Sequence, residues 1–177
     1  TVAIIASTLL YLEINDNGGY PQVSEQRYKE LDNVLQEAIK YSKDSPVKAI
    51  RLLESYGILP KLLENRKNYI LSKLYQEIDE PAMALIRAYG ISSDYLPQFA
   101  RYHRAQIAGK IGLEGVAVED LDYLVNKFPE NPKYLYDLAK SYSRQSLMED
   151  ARKTFLLIQT SFPQSEYALG ADYYLAN

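Results

Sequence analysis

Apolar residues recur along most of the chain at intervals of three and four, which is the spacing of one face of an α-helix. The best-formed stretch holds two such faces in succession. They are Leu138, Ala139 and Tyr142 on the first, and Ala151, Phe155 and Ile158 on the second. A polar turn at residues 143–146 separates them, and Pro163 ends the second because a proline ring cannot continue a helix. The pattern predicts helix, turn and helix.

This pair of helices recurs with a period near 34 residues. Phe128-Pro129 reappears as Phe162-Pro163, and the tripeptide Tyr-Gly-Ile at residues 56–58 reappears at residues 89–91, a step of 33. The alanines predicted to open the second helix of each unit are Ala49, Ala82, Ala117 and Ala151. Since one hairpin cannot bury its apolar faces alone, about four stacked units are expected.

Residues 1–22 differ from the repeats. Residues 2–12 are apolar but fewer than the roughly 20 residues that a membrane-spanning helix needs. We interpret them as a short core helix or as the remnant of a signal peptide or anchor, and the absence of an initial Met leads us to expect a fragment or processed product. Residues 15–22 (NDNGGYPQ) form a hinge. The predicted organisation is therefore an apolar segment and hinge at 1–22 and a helical solenoid at 23–177.

Composition and charge narrow the classes of function. The 177 residues include 20 Lys and Arg against 23 Asp and Glu, a net charge of -3, whereas a nucleic-acid-binding protein is normally basic. The absence of Cys excludes disulfides and cysteine zinc sites, and one histidine, His103, excludes a multi-histidine metal site. We therefore expect no nucleic acid, no metal and no cofactor. The 17 tyrosines suit shallow interfaces between packed helices.

The repeat resembles the tetratricopeptide repeat (TPR), a helix-turn-helix of 34 residues. The unit at residues 132–165 matches its pattern at Leu138, Ala139, Tyr142, Ala151, Phe155, Ile158 and Pro163. The unit at residues 98–131 matches less well, with Arg104 where an apolar residue is usual, and the two earlier units are degenerate. The resemblance covers roughly residues 30–177. It implies an all-α, right-handed helix-hairpin solenoid of about four TPR-like repeats.

The end of the chain has a narrower resemblance. Residues 160–177 (TSFPQSEYALGADYYLAN) are similar to a phrase in bacterial cell-envelope members of this superfamily, and Leu138-Ala139 returns as Leu175-Ala176 after 37 residues. The sequence looks loosely similar to the helical N-terminal region of soluble lytic murein transglycosylases. That resemblance implies a larger parent protein in the periplasm or membrane-associated cell envelope; a cytoplasmic location is the alternative.

No residue pattern indicates catalysis within this chain. Lytic transglycosylases mark their catalytic acid with Glu-Ser, and that acid must be held protonated to donate to the glycosidic oxygen. The Glu-Ser of this chain, Glu54-Ser55, lies at a repeat position aligned with Arg87-Ala88. We therefore expect no catalytic residue and no enzyme here, although the parent protein would be one if the transglycosylase resemblance holds.

Two further features are candidates for chemistry. Glu119, Asp120 and Asp122 lie at a predicted helix start, where acidic side chains favour the positive end of the helix dipole, and we interpret them as capping charges. His103 lies on a predicted first helix between basic neighbours, and we expect it to be solvated or to face the groove.

The remaining candidate is a binding groove. In TPR proteins the concave groove is lined by the first helices, and the resemblance places six side chains of this chain there. They are Tyr102, Gln106, Lys110, Tyr136, Lys140 and Arg144. Lysine and arginine suit carboxylates, and tyrosine suits apolar faces. The expected partner is a protein or peptide, or the glycan of peptidoglycan, with membrane contact only through an N-terminal anchor.

Two functions follow from this assignment. The first is a non-catalytic superhelical module of a cell-envelope protein, acting as the accessory helical domain of a lytic-transglycosylase-like enzyme. The alternative is a TPR scaffold that holds a partner peptide in its concave groove.

Overall fold

The computed structural model describes residues 19–92 and 96–176. All regular secondary structure among these residues is helical, with turns and loops between the helices. Their helices are α1 (Glu25–Ser42), α2 (Pro46–Glu54), α3 (Lys61–Glu77), α4 (Pro81–Tyr89), α5 (Pro97–Lys110), α6 (Glu114–Lys127), α7 (Pro132–Arg144), α8 (Met148–Ser161) and α9 (Glu166–Ala176). The prediction of an all-α fold is confirmed. None of the described helices combines the length and apolar character that a membrane crossing requires.

The helices pack as consecutive hairpins within two compact units. Helices α1 to α4 form the first unit, in which α1 packs on α2 and α3 on α4. Helices α5 to α9 form the second, in which α5 packs on α6, α7 on α8, and α9 on α8 and α7. The division falls near residues 93–95, inside the segment predicted as one solenoid. The predicted apolar segment at residues 2–12 lies outside the described residues.

Proline and hairpin geometry set the helix boundaries. Helices α2, α4, α5 and α7 each carry Pro in the first turn, where its missing N–H costs no helix hydrogen bond. Helix α8 ends at Ser161, two residues before Pro163, as the repeated Phe-Pro predicted. Helix α1 starts after Ser24, whose hydroxyl accepts from the backbone N–H of Arg27 at 3.2 Å.

A buried alanine marks the second helix of every hairpin. These residues, all at most 4% exposed, are Ala49, Ala84, Ala117 and Ala151. Without a longer side chain, each lets the paired backbones approach closely. The four alanines predicted to open these helices all lie near the helix starts, but Ala82 is exposed, and Ala84 takes the buried place in α4.

The shift of the buried position from Ala82 to Ala84 has a structural reason. Helices α2 and α4 begin at Pro46 and Pro81, 35 residues apart, whereas the Tyr-Gly-Ile tripeptides are 33 apart. The first tripeptide lies beyond the end of α2, while the second begins on the last residue of α4. Accordingly Ile58 is 66% exposed and Ile91 is 3% exposed. The two tripeptides therefore have different environments.

Buried polar side chains of α3 donate hydrogen bonds to backbone carbonyls that follow α2 and α4. Lys67 is 5% exposed, and its ammonium donates to the carbonyl of Gly57 at 2.7 Å, next to the carboxylate of Glu64 at 3.0 Å. Asn68, 6% exposed, donates to the carbonyl of Gly90 at 3.0 Å. These contacts give partners to two side chains that burial would otherwise leave unpaired. They also satisfy one carbonyl just beyond the end of α2 and one at the end of α4.

Replacing Gly90 with alanine tests this packing. An added Cβ would lie 2.8 Å from Nδ2 of Asn68, so the amide would have to leave its buried hydrogen bond. We expect Gly90→Ala to lower the free energy of unfolding by about 1–3 kcal/mol, measured by urea denaturation. Gly57→Ala is the matched control, because a Cβ there meets nothing within 4 Å. Equal effects of the two substitutions would contradict this account.

Candidate functional site

The second unit contains a cavity of about 380 Å³ bounded by α5, α6 and α7. Its lining is Tyr102, Ala105, Gln106, Gly109, Lys110, Leu121, Lys133, Asp137, Lys140, Ser141 and Arg144. Residues spaced by three or four on α5 and on α7 point to the same space, because they share one face of each helix. The cavity therefore lies between one face of the α5–α6 hairpin and one face of α7, the first helix of the next hairpin.

The cavity is positively charged although the whole chain is slightly acidic. Four cationic side chains line it against one carboxylate, that of Asp137. Five of the six side chains predicted for the groove contribute to this lining, namely Tyr102, Gln106, Lys110, Lys140 and Arg144. The structure thus brings these five together, and whether they bind a partner stays a prediction. Lys133 and Asp137 were not predicted, since the repeat alignment selects other positions of α7, namely Tyr136, Lys140 and Arg144.

Tyr102 and Asp137 form the polar contact across the cavity. The Tyr102 hydroxyl donates to the Asp137 carboxylate at 2.7 Å. Burial of the ring, reinforced by this carboxylate, raises the pKa of Tyr102 well above its ordinary value. The phenol therefore stays a proton donor. The ammonium of Lys133 lies 5.0 Å from the centroid of the same ring, close enough for a cation–π contact.

Arg144 is held by two neighbours. Its Nε and Nη2 donate to the two oxygens of Glu114, the latter at 3.0 Å, and Nη2 also donates to the Ser141 hydroxyl at 3.0 Å. Glu114 is 8% exposed and begins α6, whereas the Arg144 side chain is 44% exposed. The guanidinium therefore meets a buried carboxylate on one side and the cavity on the other.

Tyr136, the sixth predicted groove residue, does not line the cavity. Its ring packs among Phe155, Tyr167 and Tyr174, with centroid distances of 5.8, 5.5 and 6.3 Å. Gly170 of α9 makes room for it, since a Cβ at that position would lie 2.7 Å from the ring. Burial raises the pKa of Tyr136 above its ordinary value. Tyr136 thus fastens α7 to α8 and α9.

Glu54, the glutamate of the Glu-Ser pair, has the wrong electrostatics for a general acid. Its Oε1 accepts from the Tyr75 hydroxyl at 2.6 Å and from Arg87 at 2.7 Å. The hydrogen bond from Tyr75, with a smaller contribution from Arg87, lowers the pKa of Glu54. The general acid of an enzyme that cleaves glycosidic bonds needs a raised pKa, so that it stays protonated. Glu54 is therefore an ionised residue that joins α2 to α3 and α4.

His103 is buried, so the expectation of a solvated or groove-facing side chain is wrong. It is 7% exposed, and its ring stacks parallel to that of Phe99, with centroids 6.1 Å apart. Its basic neighbours, Arg101 and Arg104, do not form an exposed basic face, because both contact Asp120 of α6. Among the described residues, no group of three or more acidic or histidine side chains is arranged to hold a metal ion.

Asp120 is not a capping charge, which corrects the sequence interpretation. It lies in the middle of α6, is 1% exposed, and accepts hydrogen bonds from Arg101 at 2.9 Å and from Arg104. The Arg101 guanidinium also lies 3.9 Å from the centroid of the Tyr123 ring. This ionic cluster explains why Arg104 stands where a TPR has an apolar residue. Arg104 departs from the TPR pattern because it pairs with the buried carboxylate of Asp120.

Removing the buried acid is expected to destabilise the second unit strongly. Asp120→Ala would leave two arginines, with side chains 22% and 14% exposed, without their shared carboxylate. Breaking a buried ionic cluster in this way costs about 3–5 kcal/mol. Urea denaturation of Asp120→Ala and of the exposed neighbour Asp122→Ala separates this effect from the loss of any carboxylate. A change within about 0.5 kcal/mol is expected for the control, and an equally small change for Asp120→Ala would refute the role assigned to it.

Comparison with known proteins identifies the fold. No protein-family model matches the sequence, and no curated protein matches it. MamA from Desulfovibrio magneticus RS-1 is similar in structure, with a TM-score of 0.62, 17% identity, and 82% of each chain covered. A Podosopora anserina protein with nearly identical TPR-like repeats, assigned as a kinesin light chain, has a TM-score of 0.61 at 16% identity, covering 83% of this chain and 84% of that one. The chain has the TPR-like helical-repeat fold, as predicted.

Proposed function

We propose that this chain is a non-catalytic protein-interaction module whose second unit binds an acidic segment of a partner protein. The carrying observation is the cavity lined by Lys110, Lys133, Lys140 and Arg144 in a chain of net charge -3. Carboxylates form charge-assisted hydrogen bonds with such side chains, roughly twice as strong as neutral ones. Concentrating positive charge at one place also steers acidic partners toward it.

The positive charge at the cavity is only partly neutralised. The ammonium groups of Lys133 and Lys140 have no carboxylate partner in the part of the chain that the structure describes, and each lies near a tyrosine ring instead. A contact with a ring leaves the ammonium hydrogens available to an incoming acceptor. The volume of about 380 Å³ suits one or two side chains, or a terminal carboxylate with its residue.

The fold supports the same function. TPR-like proteins bind protein partners, and helical repeats of this kind present surfaces on which an extended segment can lie. The side chains that line the cavity lie on the first helices α5 and α7, together with Leu121 of α6. A peptide held there would meet basic groups on α5 and α7 and the hydroxyl and carboxylate pair of Tyr102 and Asp137 between them.

Peptide selection tests the proposal directly. Random octapeptides displayed with a free carboxyl terminus are selected on the purified chain, and we expect enrichment of Asp, Glu or a required terminal carboxylate. The most enriched peptide, labelled with fluorescein, should bind Lys140→Ala about tenfold more weakly in fluorescence anisotropy, because a charge-assisted hydrogen bond is lost. Lys153→Ala, which removes an exposed cation of α8, is the matched control and should bind as the parent does.

Three results would contradict the proposal. They are the absence of any enriched peptide, enriched peptides without acidic preference, and equal weakening by Lys140→Ala and Lys153→Ala. The last result would mean that overall charge, not the cavity, drives binding.

The narrower role in the cell envelope remains a proposal that rests on the sequence resemblance. In that role the module lies in the periplasm and positions glycan beside a lysozyme-like domain of a larger protein. Cosedimentation with purified peptidoglycan is expected if the role is correct, and Lys140→Ala should reduce the sedimented fraction. A chain that stays in the supernatant while it binds acidic peptides would leave the peptide scaffold as the function.

A further inference from the structure

We propose that Glu114 and Gly109 are positioning residues that hold the Arg144 guanidinium in one orientation, so that it receives the partner's carboxylate through Nη1. The inference rests on the proposed function, because it concerns how the same cavity recognises its acidic ligand. It assigns a role to a buried acid and a helical glycine that the repeat pattern does not require.

The hydrogen bonds of Arg144 leave one nitrogen for a ligand. A guanidinium has five N–H groups. The Nε hydrogen goes to Glu114, and the two Nη2 hydrogens go to Glu114 and Ser141. The two hydrogens on Nη1 have no acceptor within the described residues. The side chain is thus fixed by three hydrogen bonds, and Arg144, which lines the cavity, keeps one nitrogen without a partner among the described residues.

Glu114 is well placed to fix this orientation. It is 8% exposed and lies in the first turn of α6, where the helix dipole favours a negative charge. Arg144 is the last residue of α7, where the dipole favours a positive charge. An arginine that is already oriented loses less side-chain entropy when a ligand binds, and the saved entropy appears as affinity.

Gly109 supplies the space for this pair. A Cβ at position 109 would lie 3.1 Å from Nη2 of Arg144 and 3.9 Å from Oε2 of Glu114. A side chain at position 109 would therefore require the guanidinium to shift by a few tenths of an ångström. Glycine is otherwise unfavourable inside a helix relative to alanine. Its presence at this point is explained by the close approach of the ion pair.

The positioning role and a simple charge effect predict opposite results for Glu114→Gln. Removing the Glu114 carboxylate makes the cavity more positive, so a purely electrostatic site would bind an acidic peptide more tightly. If Glu114 acts by orienting Arg144, the same substitution weakens binding. The sign of the change in affinity therefore distinguishes the two.

The experiment uses the full chain and the fluorescein-labelled acidic octapeptide selected above. We expect Glu114→Gln to raise Kd about five- to tenfold, and Gly109→Ala to raise it by a similar factor. The higher helix propensity of alanine offsets part of the stability that the disturbed ion pair loses. Gly115→Ala is the matched control, because it adds the same methyl group to α6 with nothing within 4 Å. It should leave Kd unchanged.

A measurement without ligand tests the arrangement by itself. In nitrogen-15 NMR spectra of the free protein, the Nε–H signal of Arg144, assigned by its loss in Arg144→Lys, should exchange slowly with water. Glu114→Gln and Gly109→Ala should both speed that exchange, whereas Gly115→Ala should not. A fast-exchanging parent signal would overturn the inference.

The outcomes separate the two proposals. If the parent binds the acidic octapeptide but Glu114→Gln binds it equally or more tightly, the positioning role is wrong while the proposed function stands. If selection yields no acidic peptide, the proposed function fails, and the positioning role in ligand recognition fails with it even where the NMR signal shows an ordered guanidinium.

Discussion

Two arginines of α5 converge on the buried carboxylate of Asp120 in α6, and the cavity depends on this contact. Helix α5 carries Tyr102 and Lys110, and α6 carries Glu114, so the pairing of these helices sets where those side chains lie. A buried ionic cluster is favourable only when its geometry is satisfied, which penalises other registers of the hairpin. An apolar contact at the same place would tolerate sliding more readily.

The two units pack their hairpins in the same way but bury different polar groups. In both, a buried alanine lets the hairpin helices approach, as at Ala49 and Ala117. In the first unit, the polar side chains buried beside this contact hold backbone carbonyls, as Asn68 holds Gly90. In the second, the buried acids Asp120 and Glu114 hold arginines. In the second unit, cationic groups also face a cavity, which is why the binding proposal concerns that unit.

The strength of the repeat signal decided how much of the fold was predictable. In the second unit, large apolar residues and Phe-Pro recur in step, and the predicted helix ends and buried alanines agree with the structure. In the first, two identical tripeptides set a step of 33, while the helices follow a step of 35. The tripeptide Tyr-Gly-Ile, a glycine between two largely apolar residues, fits both a helix end and a loop. It therefore could not fix how the two hairpins align with each other.

From the sequence, helical periodicity predicted the helices and their repeated hairpins, because residues three or four apart share a face in any helix. The resemblance to the tetratricopeptide repeat then implied the solenoid and the five side chains that line the cavity. The tertiary structure alone decided what those faces meet. Tyr136 has the spacing of a groove residue, but its ring packs against the core of the second unit, where Gly170 of α9 leaves space for it. Glu114 looks like an ordinary helix start, and its role comes from Arg144, 30 residues away along the chain. Such contacts depend on how separate helices are placed, and no local pattern along the chain encodes that placement.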